Sequence, residues 1–273
     1  MDPLEKRPTS DSELKKRLAT AALGIPAVLG LAYAGGFYWT AFVVLLGLLG
    51  TYEFLAMGKK KGHRPSFGLA YLILLLFMGA FGGVGDFVPG YFQAGVLGLV
   101  ALSGALLVWG FPGFSVIDLA LTWVGPLYLS VFLSYGILAI HELDRPFFAL
   151  LMVFSITWAS DTGAYFAGRL AGQRKLAPKL SPKKTWEGSI GGLCFSMLAA
   201  VGIGWNVLSL GQSLFLGFSG SVCAQLGDLA VSAMKRYFGV KDSGRILPGH
   251  GGILDRFDSF MWVLPVVYYF LRG

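Results

Sequence analysis

Ser232-Ala-Met-Lys-Arg-Tyr-Phe-Gly-Val-Lys-Asp-Ser-Gly-Arg-Ile-Leu-Pro-Gly-His-Gly-Gly-Ile-Leu-Asp-Arg-Phe-Asp258 is polar, basic and glycine-rich, yet apolar runs flank it on both sides. A polar loop between two long apolar runs is the pattern of a chain that crosses a bilayer more than once. The composition agrees. The chain is 55% hydrophobic and 14% charged, where a soluble domain carries about 25% charged residues. The 39 glycines suit helices that approach closely in lipid. The net charge of +7 would permit nucleic-acid binding, but the cations are confined to segments between apolar runs, so no nucleic-acid partner is expected. Cys194 and Cys223 lie inside apolar runs and read as small buried hydrophobes. His63, His141 and His250 are too scattered for a zinc motif.

Outward from that loop, the apolar runs predict spans at 18–34, 37–57, 66–82, 90–109, 115–137, 146–168, 188–206, 212–235 and 254–271, each near the ~20 residues needed to cross. The expected fold is therefore an all-α polytopic membrane protein of about nine transmembrane helices. Residues 1–17 form a cytoplasmic arm, and 18–273 form one transmembrane domain with its catalytic part in about 155–260. Ala32-Tyr33-Ala34 also resembles a signal-peptide cleavage site, a reading that leaves the later spans unchanged. With nine spans, the arm and the loops around 58–65, 169–187 and 235–256 share one side. Of the 22 cations only Arg145 and Arg272 fall on the other. The positive-inside rule makes the rich side cytoplasmic.

The quoted loop mixes groups that phosphate chemistry uses: cations for phosphoryl oxygens, carboxylates for a divalent metal, and glycines whose N–H groups can approach an anion. Asp161 and Asp228 add carboxylates inside predicted spans, where a charge costs at least ~2.5–3.5 kcal/mol and is usually functional or paired. Asp228 and Ser232 are four apart and share a helix face that Lys235 and Arg236 continue. Asp255 and Asp258 are three apart in the first turn of the last span. There they serve either the helix dipole or a site. Lys183 and Lys184 read either as topology anchors or as phosphate contacts.

The order of residues in 232–258, Ser-x-x-Lys-Arg through Pro-Gly-His-Gly-Gly-x-x-Asp-Arg-x-Asp, resembles the signature of the phosphatidate cytidylyltransferases, or CDP-diacylglycerol synthases. Ser181-Pro-Lys-Lys-Thr-Trp-Glu-Gly188 resembles a second block of that family, and Trp158-Ala-Ser-Asp-Thr-Gly-Ala-Tyr165 a weaker third. The resemblance implies transfer of a cytidylyl group from CTP to phosphatidic acid in the bilayer, giving CDP-diacylglycerol and pyrophosphate. It implies a Mg²⁺ cofactor, with a second metal ion an option, held by Asp228, Asp255 and Asp258. It also implies a homodimer, in the bacterial inner membrane, with the site facing the cytoplasm. Lys235, Arg236 and His250 are expected to join those acids in catalysis. Ser181, Lys183, Lys184, Ser232, Lys241, Gly249, Gly251, Gly252, Arg256 and Asp161 are expected to bind substrate. The alternative from the residues alone is an ion-coupled transporter using Asp161 and Asp228.

Overall fold

A computed structural model describes residues 11–83, 89–247 and 251–273. Pro248, Gly249 and His250 lie outside the described residues, and so do residues 1–10 of the expected arm. Among the described residues there are nine helices: α1 Asp11–Ala34, α2 Gly36–Lys60, α3 Phe67–Phe81, α4 Pro89–Gly110, α5 Val116–Glu142, α6 Pro146–Ala171, α7 Trp186–Gly204, α8 Leu210–Tyr237 and α9 Leu254–Arg272. Each falls on one of the apolar runs read from the sequence. Residues 11–17, expected in the arm, are instead the first turns of α1.

Six of these helices, α2 and α4 to α8, are long and apolar enough to cross a membrane. The chain is thus all-α with several membrane-spanning helices. The other three differ for visible reasons. α3 has only 15 residues, the apolar part of α1 begins at Ala22, and the first turns of α9 carry Asp255, Arg256 and Asp258.

Local signals set the helix starts. Ser115 with Asp118 and Ser209 with Gln212 close reciprocal capping boxes at α5 and α8, and the Ser66 and Thr185 hydroxyls cap α3 and α7. α8 ends where Gly239, at φ 70°, lets the chain turn back, so that Val240 N–H reaches the Lys235 carbonyl at 2.9 Å.

Between α6 and α7 the chain forms a small antiparallel hairpin, β1 Lys175–Ala177 and β2 Ser181–Thr185. The expectation of a plain helix-to-helix loop missed it. Its turn has Pro178 at the second position and is closed by Leu180 N–H to the Ala177 carbonyl at 3.1 Å.

α6 and α7 pack through glycines. A Cβ on Gly191 would stand 2.3 Å from that of Ala167 and 2.8 Å from the Gly163 carbonyl oxygen. Small residues allow such backbone approach in lipid, where no hydrophobic force drives helices together. A polar side chain crosses the same seam, Ser196 donating to the Ile156 carbonyl at 2.9 Å, and the Ser160 hydroxyl of α6 lies 2.9 Å from that of Ser221 on α8. Cys194 is exposed and Cys223 half-buried, both as free thiols, so neither is the fully buried residue expected.

One end of the bundle collects the basic segments. Lys61 Nζ donates to the Tyr237 carbonyl at 2.6 Å, Arg64 N–H to Asp118 at 2.6 Å, and Arg236 Nε to the Leu180 carbonyl at 3.1 Å. These contacts bring together the ends of α2 and α8, the start of α5 and the hairpin.

Candidate active site

The hairpin leans over a cavity of about 580 Å³ between α6, α7 and α8. Asp161, Tyr165 and Arg169 of α6, Lys183 and Lys184 of β2, and Gln225 and Asp228 of α8 line it. The hairpin is held by an acid from the first turn of α7 and by a distant cation. Glu187 accepts from Gln173 N–H at 3.1 Å and Arg174 N–H at 3.2 Å, and Arg236 bridges the carbonyls of Leu180 and Val240. Arg236, expected to be catalytic, therefore ties two loops together and is exposed.

Lys184 Nζ pairs with Asp228 Oδ2, and Asp228 Oδ1 accepts from the Ser232 hydroxyl at 3.3 Å. Asp228 thus binds a cation from the hairpin and a hydroxyl from its own next turn. Asp161 opens into the same cavity, within electrostatic reach of Asp228, Lys184 and Arg256.

The start of α9 supplies the other wall. Asp258 is buried, accepts from Ser259 N–H at 2.7 Å, and feels the charges of Asp228 and Asp161. α9 comes this close because Gly227 has no side chain: a Cβ there would stand 2.5 Å from the Asp258 carbonyl oxygen. Asp255 has a different environment. It accepts from Lys235 Nζ at 2.6 Å, Ser243 N–H at 2.8 Å and Gly252 N–H at 3.0 Å.

Several expected contacts are thus already committed. Lys235 is half of a buried ion pair. Gly252 N–H goes to the Asp255 carboxylate, and Gly251 N–H to the Leu247 carbonyl at 3.2 Å, so neither amide is open to a phosphate as expected. Ser181 sits at the turn end of β2 opposite Ala177 and lines no part of the cavity described. Lys241 is exposed on the loop. Gly249 and His250 lie outside the described residues.

Among the described residues no three His, Cys, Asp or Glu side chains stand close enough to chelate a metal as placed. The expected trio of Asp228, Asp255 and Asp258 is divided, because Lys235 and the Ser243 and Gly252 amides hold Asp255. Asp161, Asp228 and Asp258 lie instead within electrostatic reach of one another. As oxygen donors they are the set that Mg²⁺ takes.

A second, apolar cavity of about 330 Å³ runs between α1, α2, α6 and α9, lined by Val28, Phe42, Phe154, Trp158 and Phe260, with Arg256 and Asp161 at its polar end. Among the described residues Asp161 alone lines both cavities. Sequence reading also passed over Glu53, 1% exposed on α2, which accepts from Ile253 N–H at 2.9 Å and Leu254 N–H at 3.0 Å. The signal was available, since Glu53 is the one charged residue in the predicted span 37–57.

Comparison with known proteins converges on one family. The model of the cytidylyltransferase family matches residues 15–273. Curated proteins named phosphatidate cytidylyltransferase are similar over nearly the whole chain. The one from Staphylococcus haemolyticus is 38% identical over 263 residues, covering 93% of this chain and 97% of the relative. That from Staphylococcus saprophyticus is 37% identical over 267 residues with the same coverage, and that from Staphylococcus aureus 38% over 270. None of these is a transporter, and the ion-coupled alternative finds no support.

Proposed function

This chain belongs to the cytidylyltransferase family, and we propose that it makes CDP-diacylglycerol and pyrophosphate from CTP and phosphatidic acid within a membrane. One observation carries the reading: a cavity edged with lysines and carboxylates meets a more apolar one at Asp161. The reaction joins a triphosphate from water to a phosphate on a lipid, and two such cavities sharing a wall suit that pair of substrates.

The lipid phosphate is the nucleophile. Its second pKa is ~6, so it is largely ionised near neutral pH and needs no strong general base. One of its oxygens bonds to the α-phosphorus of CTP as the bond from that phosphorus to the bridging α–β oxygen breaks. Pyrophosphate carries away the electron pair. The barrier is mostly repulsion between anions, lowered by alignment and by fixed positive charge. Lys183 and Lys184 bind the triphosphate from the hairpin. Arg256, at the polar end of the apolar cavity, receives the lipid phosphate. Asp228 and Asp258, with Asp161 beside them, are the donors that would hold Mg²⁺, which supplies charge neutralisation on the phosphates. Lys184 then leaves Asp228 for phosphate.

Purified protein in mixed micelles, offered each nucleoside triphosphate with phosphatidic acid, is expected to release pyrophosphate with CTP only. Release that does not require phosphatidic acid would overturn the reading.

The proposed setting is the bacterial inner membrane, with all nine helices crossing and the site on the cytoplasmic side. The gathering of basic segments at one end supports it. Reporter fusions at residues 1 and 273 are expected on opposite sides of the membrane. Finding both on one side would refute nine crossings.

A further inference from the structure

Glu53 lines neither cavity, yet it accepts three hydrogen bonds from the loop and from the start of α9. Its Oε1 accepts from Ile253 N–H, and its Oε2 accepts from Leu254 N–H and from the Ser243 hydroxyl at 2.8 Å. The Ser243 oxygen is also 3.0 Å from Asp255 Oδ2. That hydroxyl has one hydrogen for two carboxylates and stands as a bridge between them. Asp255 is in turn held by Lys235 of α8. A continuous chain of polar contacts therefore runs from α2, through the loop and the start of α9, to α8.

The space around Glu53 is closed to anything larger. A Cβ on Gly244 would stand 2.2 Å from Glu53 Oε1, and one on Gly252 would stand 2.5 Å from Oε2 and 2.1 Å from Ser243 Oγ. The two glycines let the loop fold over a carboxylate brought from another helix.

A helix N-terminus leaves its first N–H groups without intrahelical partners, and a carboxylate there also meets the favourable end of the helix dipole. α9 takes no cap from its own N-cap residue, Ile253. Glu53 supplies that cap from 200 residues away. The turn it fixes carries Arg256, which lines the apolar cavity, and Asp258, packed against α8 at Gly227 next to Asp228.

We propose that Glu53 is a positioning residue for cytidylyl transfer, holding the first turn of α9 so that Arg256 stays with Asp161 on the wall of the apolar cavity and Asp258 stays against α8 at Gly227, next to Asp228. The inference rests on the reading above. It acts on kcat more than on CTP binding, because Lys183 and Lys184 come from the hairpin on the other side of the site.

The test is Glu53→Gln in the purified full chain. One carboxylate oxygen becomes an amide N–H₂ that must face an N–H or O–H donor. Misplacement of about 1 Å costs on the order of 10²-fold in rate, so kcat is expected to fall about 10- to 100-fold while KM for CTP stays within about twofold. Trypsin is expected to cut after exposed Arg245 faster than in the parent. Glu53→Asp, which keeps the charge, is expected to recover part of kcat.

Unchanged kcat in a folded Glu53→Gln, or a loss expressed only as a higher KM for CTP, overturns the proposal. If that variant does not fold, Glu53→Asp decides: its shorter side chain cannot keep both the Ile253 and the Leu254 N–H bonds in place, and unchanged kcat there overturns the proposal equally. A parent protein that releases no pyrophosphate condemns the parent reading instead, and the trypsin comparison still reports whether Glu53 holds the loop.

Discussion

Asp228→Asn is expected to lower cytidylyl transfer by ~10³-fold or more, about 4 kcal/mol at ~1.36 kcal/mol per tenfold, while the protein inserts and melts as the parent does. Asp228 is half-buried, on the cavity wall, and holds Lys184 and Ser232. Asn keeps the size and one acceptor oxygen, so the Ser232 contact survives. It loses the charge that pairs with Lys184 and that would hold Mg²⁺. Two neighbours make the result specific. Lys184→Ala removes the partner and is expected to raise KM for CTP with a smaller change in kcat, as loss of ground-state phosphate binding would. Asp255→Asn breaks the Lys235 pair, whose side chains are 12% and 8% exposed. Leaving one charge of a buried pair alone costs ~3–5 kcal/mol, so this variant is expected to lose melting temperature as well as rate. Pyrophosphate release against Mg²⁺ concentration, with melting curves for all three, separates these outcomes. Near-parental activity in Asp228→Asn, or activity indifferent to EDTA, would remove the metal from this reading.

Gly191→Val is expected to inactivate the protein and to lower its melting temperature strongly. The added side chain begins 2.3 Å from the Ala167 Cβ and 2.8 Å from the Gly163 carbonyl oxygen. Neither obstacle is the end of a flexible side chain, so α6 and α7 must part. Overpacking ordinarily costs 1–3 kcal/mol, occasionally more, and a clash with backbone belongs at or above the top of that range. The damage reaches the site because α6 carries Asp161 and the hairpin joins these two helices. Gly202→Ala is the control: a Cβ there meets nothing within 4 Å, and both stability and rate should hold. A Gly191→Val protein that melts like the parent would mean the seam is not a tight contact.

The helices were legible because an apolar run of about twenty residues has few alternatives. The run read as 146–168 is Pro146–Ala171, and that read as 188–206 is Trp186–Gly204. Partner choice was not legible. Asp255 and Asp258, three apart, lie about 60° apart around a helix, which is enough for one to face Lys235 and the other Asp228. Only the position of α8 decides between them. The hairpin depends on contacts made after folding, above all Arg236 to the Leu180 carbonyl. The 53-to-253 contact spans 200 residues, and no local pattern records it.

That Asp161 borders both cavities has a consequence for the direction of flux. On the proposed reading the two products depart into different phases. Pyrophosphate escapes into a three-dimensional volume where dilution is nearly unlimited. The nucleotide-bearing lipid slides into a two-dimensional film and stays crowded near its source. Reversal then waits on the scarcer encounter, the return of pyrophosphate from water. Whatever hydrolyses pyrophosphate outside the membrane acts as the ratchet for chemistry inside it.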